Sequence, residues 1–104
     1  MARFGFKMRL RGEEVIEEYE RLHRAVDEDV LEAHRRSGIG NYSIFRSGLD
    51  LFAYLEADDP HAAIAKLKGE EVMAGWFAKT NPLMAVDENN TPQMTELPEI
   101  FYMV

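Results

Sequence analysis

The chain contains no cysteine among its 104 residues. Without thiols it can form neither a disulfide framework nor a thiolate zinc or iron–sulfur site, and it has no cysteine nucleophile. Nothing in the composition calls for an oxidising compartment, and we therefore expect a cytoplasmic protein. The length suits a single domain over residues 1–104, large enough to bury a core without a structural metal.

Basic residues are scarce, since 12 Lys+Arg stand against 19 Asp+Glu and give a net charge of −7. Proteins that follow a phosphate backbone collect Lys and Arg, so this balance disfavours nucleic acid and suits a small neutral ligand. No apolar run approaches the roughly 20 residues that cross a bilayer. The first residues alternate in polarity, which indicates a strand and not a signal peptide. We expect neither a membrane nor a nucleic-acid partner.

Hydrophobic periodicity divides the chain into short elements. Apolar and polar side chains alternate over residues 3–10, which is typical of a half-buried strand, whereas apolar residues between Val15 and Val30 recur every three or four positions, as in a helix. The pattern predicts strands 3–10, 39–46, 49–56 and 99–104, helices 13–36, 60–68 and 70–80, and a loop over 86–98.

This order of elements predicts an α+β fold, the ferredoxin-like βαββαβ sandwich, in which helices cover one face of a four-stranded antiparallel sheet. Strands 39–46 and 49–56 place apolar side chains on both faces, since Ile44 opposes Phe45 and Phe52 opposes Leu51. Helices are available for one face only, and a second subunit is the simplest cover for the other. We therefore expect a homodimer of the dimeric α+β barrel type.

Three histidines are the first candidates for chemistry. No two lie three or four residues apart and no cysteine assists them, so the spacing predicts no metal site. We interpret His34 and His61 as surface residues. His23 follows Tyr19 by four residues and so shares a helix face with it. Spacing alone favours a boundary residue beside a core tyrosine, yet an imidazole is the side chain best suited to exchange a proton near neutral pH.

The aromatic residues of the second half allow two interpretations. Trp76 and Phe77 form a pair on helix 70–80, where such pairs more often belong to a core, although a sugar ring also stacks on them. Tyr42 either adds a hydroxyl to a pocket or fills the sheet. There is no G-x-S-x-G elbow, phosphate-binding P-loop or G-x-G-x-x-G motif.

Several short motifs follow one another along the whole chain in a specific order. They are Arg3-x-x-Phe6-x-Met8, Glu17-Glu18-Tyr19-x-Arg21-x-His23, Asn41-Tyr42-Ser43-Ile44, Leu51-Phe52-Ala53, Trp76, Asn90-Thr91-Pro92 and Glu96-Leu97-x-Glu99-Ile100-Phe101-Tyr102. No single motif is decisive. Together, at this spacing and at this length, they resemble the bacterial L-rhamnose mutarotases.

The resemblance implies a small dimeric ferredoxin-like isomerase that interconverts the α and β anomers of L-rhamnose, or of a close 6-deoxy-hexose, with no metal or organic cofactor. Carried over position by position, His23 matches the family's proton donor. Tyr19, Tyr42, Trp76 and Phe77 match its sugar-binding residues.

The chain also departs from the family pattern. Asp27 and Glu28 stand where a Trp-Pro pair is common, Ala25 stands where a proline is usual, and Phe77 replaces the second of two tryptophans. Loss of the prolines should leave helix 13–36 straighter. Asp27 should make the wall beside the histidine more polar, which puts the identity of the sugar in question.

Two alternatives to an enzyme follow from the same pattern. One is a non-catalytic ligand-binding or regulatory dimer on the same scaffold. The other is a single-stranded RNA binder, because Phe4, Phe6, Phe52 and Tyr54 fall on strands as base-stacking aromatics do. The negative charge and the lack of a glycine-aromatic signature in Leu49–Glu56 disfavour the RNA interpretation.

Overall fold

The computed structural model describes residues 1–104 and contains four strands and four helices. In chain order they are β1 (Ala2–Arg9), α1 (Ile16–Arg24), α2 (Glu28–Arg36), β2 (Gly40–Ser47), β3 (Asp50–Ala57), α3 (Pro60–Lys68), α4 (Glu71–Thr80) and β4 (Thr95–Leu97). Single 3₁₀ turns precede α1 at Glu13–Val15 and follow α4 at Asn81–Leu83.

The strands form one sheet in the order β2-β3-β1-β4, and every neighbouring pair is antiparallel. The helical segments α1–α2 and α3–α4 are the two crossovers, so the predicted ferredoxin-like α+β fold is confirmed. No helix has the length and apolar character that spanning a membrane requires.

The central strands β1 and β3 form the buried row on which the fold is built. Phe4 pairs in register with Leu55, and Phe6 pairs with Ala53. Because side chains alternate across a strand, these four residues and Leu51 point to one face, where all five are buried. Burying a side chain of Phe or Leu size stabilises a fold by about 1.5–3 kcal/mol.

The helices cover this face alone. Residues from α2, α3 and α4 share one core cluster with the buried row of β1 and β3, namely Val30, Ala33, Ala63, Leu67 and Met73. The α1 helix adds Tyr19 to a second cluster around Leu10 and Leu51.

The opposite face of the sheet has no helix on it. Phe45 of β2 and Phe52 of β3 are register partners there, and their exposed fractions are 67% and 38%. Leu97 of β4 is also exposed. The prediction that strands β2 and β3 carry apolar side chains on both faces is confirmed by these exposures.

The predicted continuous helix over 13–36 is wrong. It is broken at Ala25, whose φ of −145° and ψ of 67° lie outside the helical region, and α2 begins after Asp27 in extended conformation. The helix breaks although no proline is present there, which means that loss of the prolines does not straighten it. The break lets Val26 pack on the main core cluster, whereas α1 directs Tyr19 into the second cluster. Apolar spacing is the same with or without this bend, so periodicity did not reveal it.

The predicted closing strand over 99–104 is also wrong. The fourth strand is Thr95–Leu97, inside the predicted loop, and Leu97 pairs with Gly5 of β1. In this antiparallel register Glu99 falls opposite Arg3, and β1 has almost no residues left to pair beyond that point. Side chains hold the chain end instead. The Arg3 guanidinium donates to Glu99 at 2.7 and 2.9 Å and lies 3.4 Å over the Tyr102 ring.

The helix predicted over 60–68 is confirmed, together with its starting signal. The Asp59 carboxylate accepts a hydrogen bond from the backbone N–H of Ala62 at 3.2 Å, and Pro60 occupies the first turn, where no N–H is needed.

Replacing this cap tests the local argument. Asp59→Ala removes the acceptor of the Ala62 N–H, and we expect the free energy of unfolding in urea to fall by about 1 kcal/mol. The neighbouring Asp58→Ala variant removes the same charge without the cap and should stay within about 0.5 kcal/mol of the parent. Equal losses in both variants would show that charge, and not capping, is responsible.

Candidate functional site

A half-open cavity of about 390 Å³ lies between the helices and the covered face of the sheet. Its walls are mostly apolar and come from β1, β2, β3, α1, α3, α4 and the segment after α4. All five residues selected from the sequence line it: Tyr19, His23, Tyr42, Trp76 and Phe77. The fold therefore brings together residues that are up to 58 positions apart in the sequence.

The imidazole of His23 is fixed by a hydrogen bond within its own helix. Its Nδ1 lies 2.8 Å from the backbone oxygen of Tyr19, one turn earlier in α1. A carbonyl oxygen can only accept, so Nδ1 carries the proton and donates. In the neutral ring this leaves Nε2 with a free lone pair.

Burial sets the charge state of this imidazole. Loss of water lowers the pKa of His23 below its ordinary value of 6.5, and the hydrogen bond to the Tyr19 carbonyl acts in the opposite direction without reversing the shift. His23 is therefore neutral near pH 7, and Nε2 is available as a base.

Two aromatic rings enclose the imidazole. The Tyr19 ring lies 4.3 Å from it between ring centroids at a tilt of 33°, and the Trp76 ring meets it edge-on at 5.1 Å. Tyr19 is buried and Trp76 is half-buried. This packing restricts the orientation of the imidazole.

The tyrosines supply hydroxyl groups that stay protonated. Burial raises the pKa of Tyr42 to about 12 and also raises the pKa of Tyr19. Neither hydroxyl takes part in a side-chain hydrogen bond. Every fully buried side-chain polar atom of the protein does have a partner, so these two oxygens are not fully buried. Both oxygens therefore reach accessible surface and are free to bind a ligand.

Sequence reasoning missed part of the polar lining. Thr80 and Asn81 line the cavity, as do Lys68 and Thr91. Thr80 lies four residues after Trp76, and Asn81 lies four after Phe77, so helical spacing on α4 could have found both. Lys68 ends α3 and carried no such signal.

The other two histidines do not line the cavity. His61 is exposed as expected, and its Nε2 lies 2.8 Å from a Glu96 oxygen. The surface interpretation of His34 is wrong. It is half-buried, donates through Nδ1 to the Val30 carbonyl at 2.7 Å, and packs 5.6 Å from the Tyr42 ring.

The expectation that Asp27 polarises the wall beside His23 is not met. The break after α1 sends Asp27 to a separate cavity of about 420 Å³, which shares Trp76 with the first. Asp27 does not line the cavity that holds His23.

The exposed face does not present the base-stacking row that an RNA binder needs. Phe4 and Phe6 are buried beneath the helices, which leaves only Phe52 and Tyr54 of the four proposed stacking aromatics on the open side. The Tyr54 hydroxyl is already bound to Glu56 at 2.6 Å.

A sheet covered on one face and a cavity with a neutral imidazole, aromatic walls and no carboxylate define a class of protein. It is a ferredoxin-like α+β protein whose site is suited to proton transfer on a small ligand.

Comparison with known proteins places the chain within this class. The family model of L-rhamnose mutarotase matches residues 3–103. The chain is 36% identical over 89 residues to the L-rhamnose mutarotase of Listeria monocytogenes serotype 4b. This alignment covers 84% of this chain and 85% of that one. It is 33% identical over 105 residues, or 99% of both chains, to the L-rhamnose mutarotase of Lactiplantibacillus plantarum. The chain belongs to the L-rhamnose mutarotase family.

Solved structures agree with this placement. The crystal structure of an L-rhamnose mutarotase from Formosa agariphila superposes with a TM-score of 0.82 at 25% identity and covers both chains completely. A dimeric ferredoxin-like protein from an uncultured marine organism superposes at 0.63 over 98% of this chain and 96% of that one. At 10% identity, that second match shows the fold alone.

The geometry of His23 predicts a specific titration. Its pKa, measured by NMR on the imidazole, should lie below 6.5, with the Nδ1–H tautomer in the neutral form. The folded state then binds fewer protons than the unfolded chain below about pH 6.5. The contribution of His23 to stability is therefore complete above that pH and is lost as the pH falls through its folded-state pKa.

Urea unfolding at pH 7.5 and pH 5 checks the same point. The parent should lose more stability between these two conditions than His23→Asn does, because the variant lacks the shifted group. A titration midpoint above 6.5 for His23, or a neutral ring protonated on Nε2, would contradict the assignment.

Proposed function

We propose that the protein interconverts the α and β anomers of L-rhamnose, or of a close 6-deoxy-hexose, with His23 as the general acid and base. The observation that carries the proposal is the neutral imidazole whose Nε2 lone pair is free, in an aromatic cavity that holds the other matched residues. Membership of a family of anomer-interconverting isomerases supplies the reaction.

Ring opening follows from this protonation state. Nε2 of His23 takes the proton of the anomeric hydroxyl, the C1 carbonyl forms, and the C1–O5 bond breaks. A water molecule or a tyrosine hydroxyl gives a proton to O5. The raised pKa of Tyr42 keeps its hydroxyl in the protonated form needed to donate.

Reclosure reverses these transfers on the other face of the carbonyl. After rotation about C1–C2, the O5 hydroxyl attacks C1 and returns its proton to the water or tyrosine. The His23 imidazolium returns its proton to the carbonyl oxygen, which becomes the new anomeric hydroxyl. The protein ends each cycle in its starting state, so no cofactor enters the balance.

The rate acceleration that mutarotation requires lies within the range that one histidine supplies. Spontaneous mutarotation is not a very slow reaction, so a modest acceleration is sufficient. A positioned general acid or base contributes about 10²–10⁴-fold, or roughly 3–5 kcal/mol of barrier.

The walls of the cavity suit a 6-deoxy sugar. Trp76 and Phe77 offer flat faces on which the apolar side of a pyranose stacks, and Tyr19 and Tyr42 offer hydroxyls to its polar edge. The remaining lining is largely aliphatic and accommodates a methyl group at C6. Phe77 provides no N–H donor, so contacts to ring hydroxyls fall to the tyrosines and to Trp76.

We also infer a homodimer formed through the open face of the sheet. Phe45, Phe52 and Leu97 are exposed there, and the chain end adds the exposed Ile100 and Phe101 beside β1. A monomer seldom leaves this many large apolar side chains exposed on one side of a sheet. A dimeric ferredoxin-like protein shares the fold, which is consistent with this arrangement.

The catalytic assignment predicts a specific loss of activity. His23→Asn keeps a polar group of similar size without a titratable nitrogen, and the catalysed anomer exchange of L-rhamnose, measured by saturation-transfer NMR, should fall by at least about 10²-fold. His61→Asn is the matched control, because His61 is exposed and outside the cavity. That variant should exchange the anomers at the parental rate.

An unchanged rate in His23→Asn would remove the catalytic role. Calorimetry that showed sugar binding by the parent without any acceleration would instead favour the non-catalytic ligand-binding dimer.

The interface predicts the effect of a buried charge. Phe45→Glu places a carboxylate within the proposed contact, and sedimentation at micromolar concentration should change from dimer to monomer. Leu31→Glu, at an exposed apolar position on α2 away from the open sheet face, should remain a dimer. A parent that sediments as a monomer would refute the interface.

A further inference from the structure

The charge around the cavity of His23 differs from that of the rest of the chain. The protein has 19 acidic residues and a net charge of −7, yet none of the acids lines this cavity. Lys68, at the C-terminal end of α3, is the one lysine or arginine among the lining residues. The lining of this cavity in an acidic protein therefore contains one charged side chain, a lysine, and no carboxylate.

The Lys68 ammonium has no partner in the protein. Most of the 12 Lys and Arg side chains form ion pairs, for example Arg36 with Glu70 at 2.6 Å. Lys66, two residues earlier on the same helix, donates to the Arg36 carbonyl at 3.1 Å. Lys68 makes neither kind of contact, and its side chain stands exposed at the rim of the cavity.

His23 and Lys68 line the cavity from different elements, α1 and the C-terminal end of α3. Lys68 is exposed at the rim, whereas the imidazole is packed between the Tyr19 and Trp76 rings. A sugar whose anomeric hydroxyl contacts His23 therefore meets Lys68 through a substituent on another ring carbon.

We propose that Lys68 is a specificity-determining residue whose ammonium binds a carboxylate on the sugar ring, so that the protein also accepts hexuronic acids. This proposal rests on the proposed function, because it uses the same proton transfers at C1. In a hexuronate the C6 carboxylate takes the position of the C6 methyl of a 6-deoxy-hexose, so one ring position serves both substrates.

The chemistry favours a carboxylate over the other acceptors. Thr80, Asn81 and Thr91 already provide uncharged donors for ring hydroxyls. An ammonium is strongly hydrated, and a charged acceptor offsets the loss of that water better than a hydroxyl does. A phosphate carries nearly two charges, which a single cation in the cavity does not balance.

A purely structural role would have a different signature. Lys68 lies in the last turn of α3, where a cation interacts favourably with the helix dipole. Lys66 lies in the same turn and carries the same charge outside the cavity. Lys66→Met is therefore the matched control for Lys68→Met.

The experiment measures anomer exchange by saturation-transfer NMR at low ionic strength for L-rhamnose and for L-mannuronate, L-guluronate and L-iduronate, in which C5 has the same configuration as in L-rhamnose. We expect the parent to accelerate exchange of at least one hexuronate, and Lys68→Met to lower kcat/KM for it about tenfold. The ratio of kcat/KM for the hexuronate to kcat/KM for L-rhamnose should fall as well, because the methyl group of L-rhamnose offers no charge to the ammonium. Lys66→Met should match the parent on both substrates, and added salt should reduce only the hexuronate rate.

The other outcomes separate failure of the role of Lys68 from failure of the proposed function. Acceleration of L-rhamnose exchange without acceleration of any hexuronate overturns the role of Lys68 and leaves the proposed function intact. Equal losses for the hexuronate in Lys68→Met and Lys66→Met assign the effect to the helix end and overturn the specificity role. Failure to accelerate L-rhamnose or any hexuronate overturns the proposed function, and this inference falls with it.

Discussion

The alternation of side chains along β1 and β3 is the constraint on which the rest of the structure depends. Phe4 and Phe6 of one strand and Leu51 and Leu55 of the other form a single apolar row that water must not reach. Both helical crossovers have to lie over this row, since their own apolar faces need the same cover. As a result α1 and α4 meet above the sheet, and the cavity between them contains His23 and Trp76.

The break between α1 and α2 gives this cavity its electrostatic character. If the helix continued, Asp27 would lie one turn beyond His23 on the same face and would place a carboxylate beside the imidazole. A nearby negative charge would raise the pKa of His23 and oppose burial. Because the chain turns at Ala25, Asp27 lies in the neighbouring cavity, and the imidazole stays neutral in an environment without acids. Because the lining has no acid, Lys68 also has no carboxylate partner within the cavity.

The sequence predicted the parts of the fold that depend on local patterns. Period-two alternation found β1, runs of aromatic and branched residues found β2 and β3, and the Asp59-Pro60 signal found α3, because all three signals act over a few neighbouring residues. The bend at Ala25 and the position of β4 depend on distant partners, which local spacing does not contain. The site followed the same division. Helical spacing paired Tyr19 with His23, whereas resemblance to the family was needed to bring them to Trp76, and neither approach pointed to Lys68.

The most direct test of catalysis by His23 is the rate of anomer exchange in L-rhamnose at neutral pH, followed by saturation-transfer NMR while the concentration of the parent protein is increased. Catalysis predicts that the exchange rate rises in proportion to protein concentration. It also predicts that this increment declines at low pH as His23 becomes charged and Nε2 loses its lone pair. An exchange rate equal to the spontaneous value at every protein concentration would contradict it.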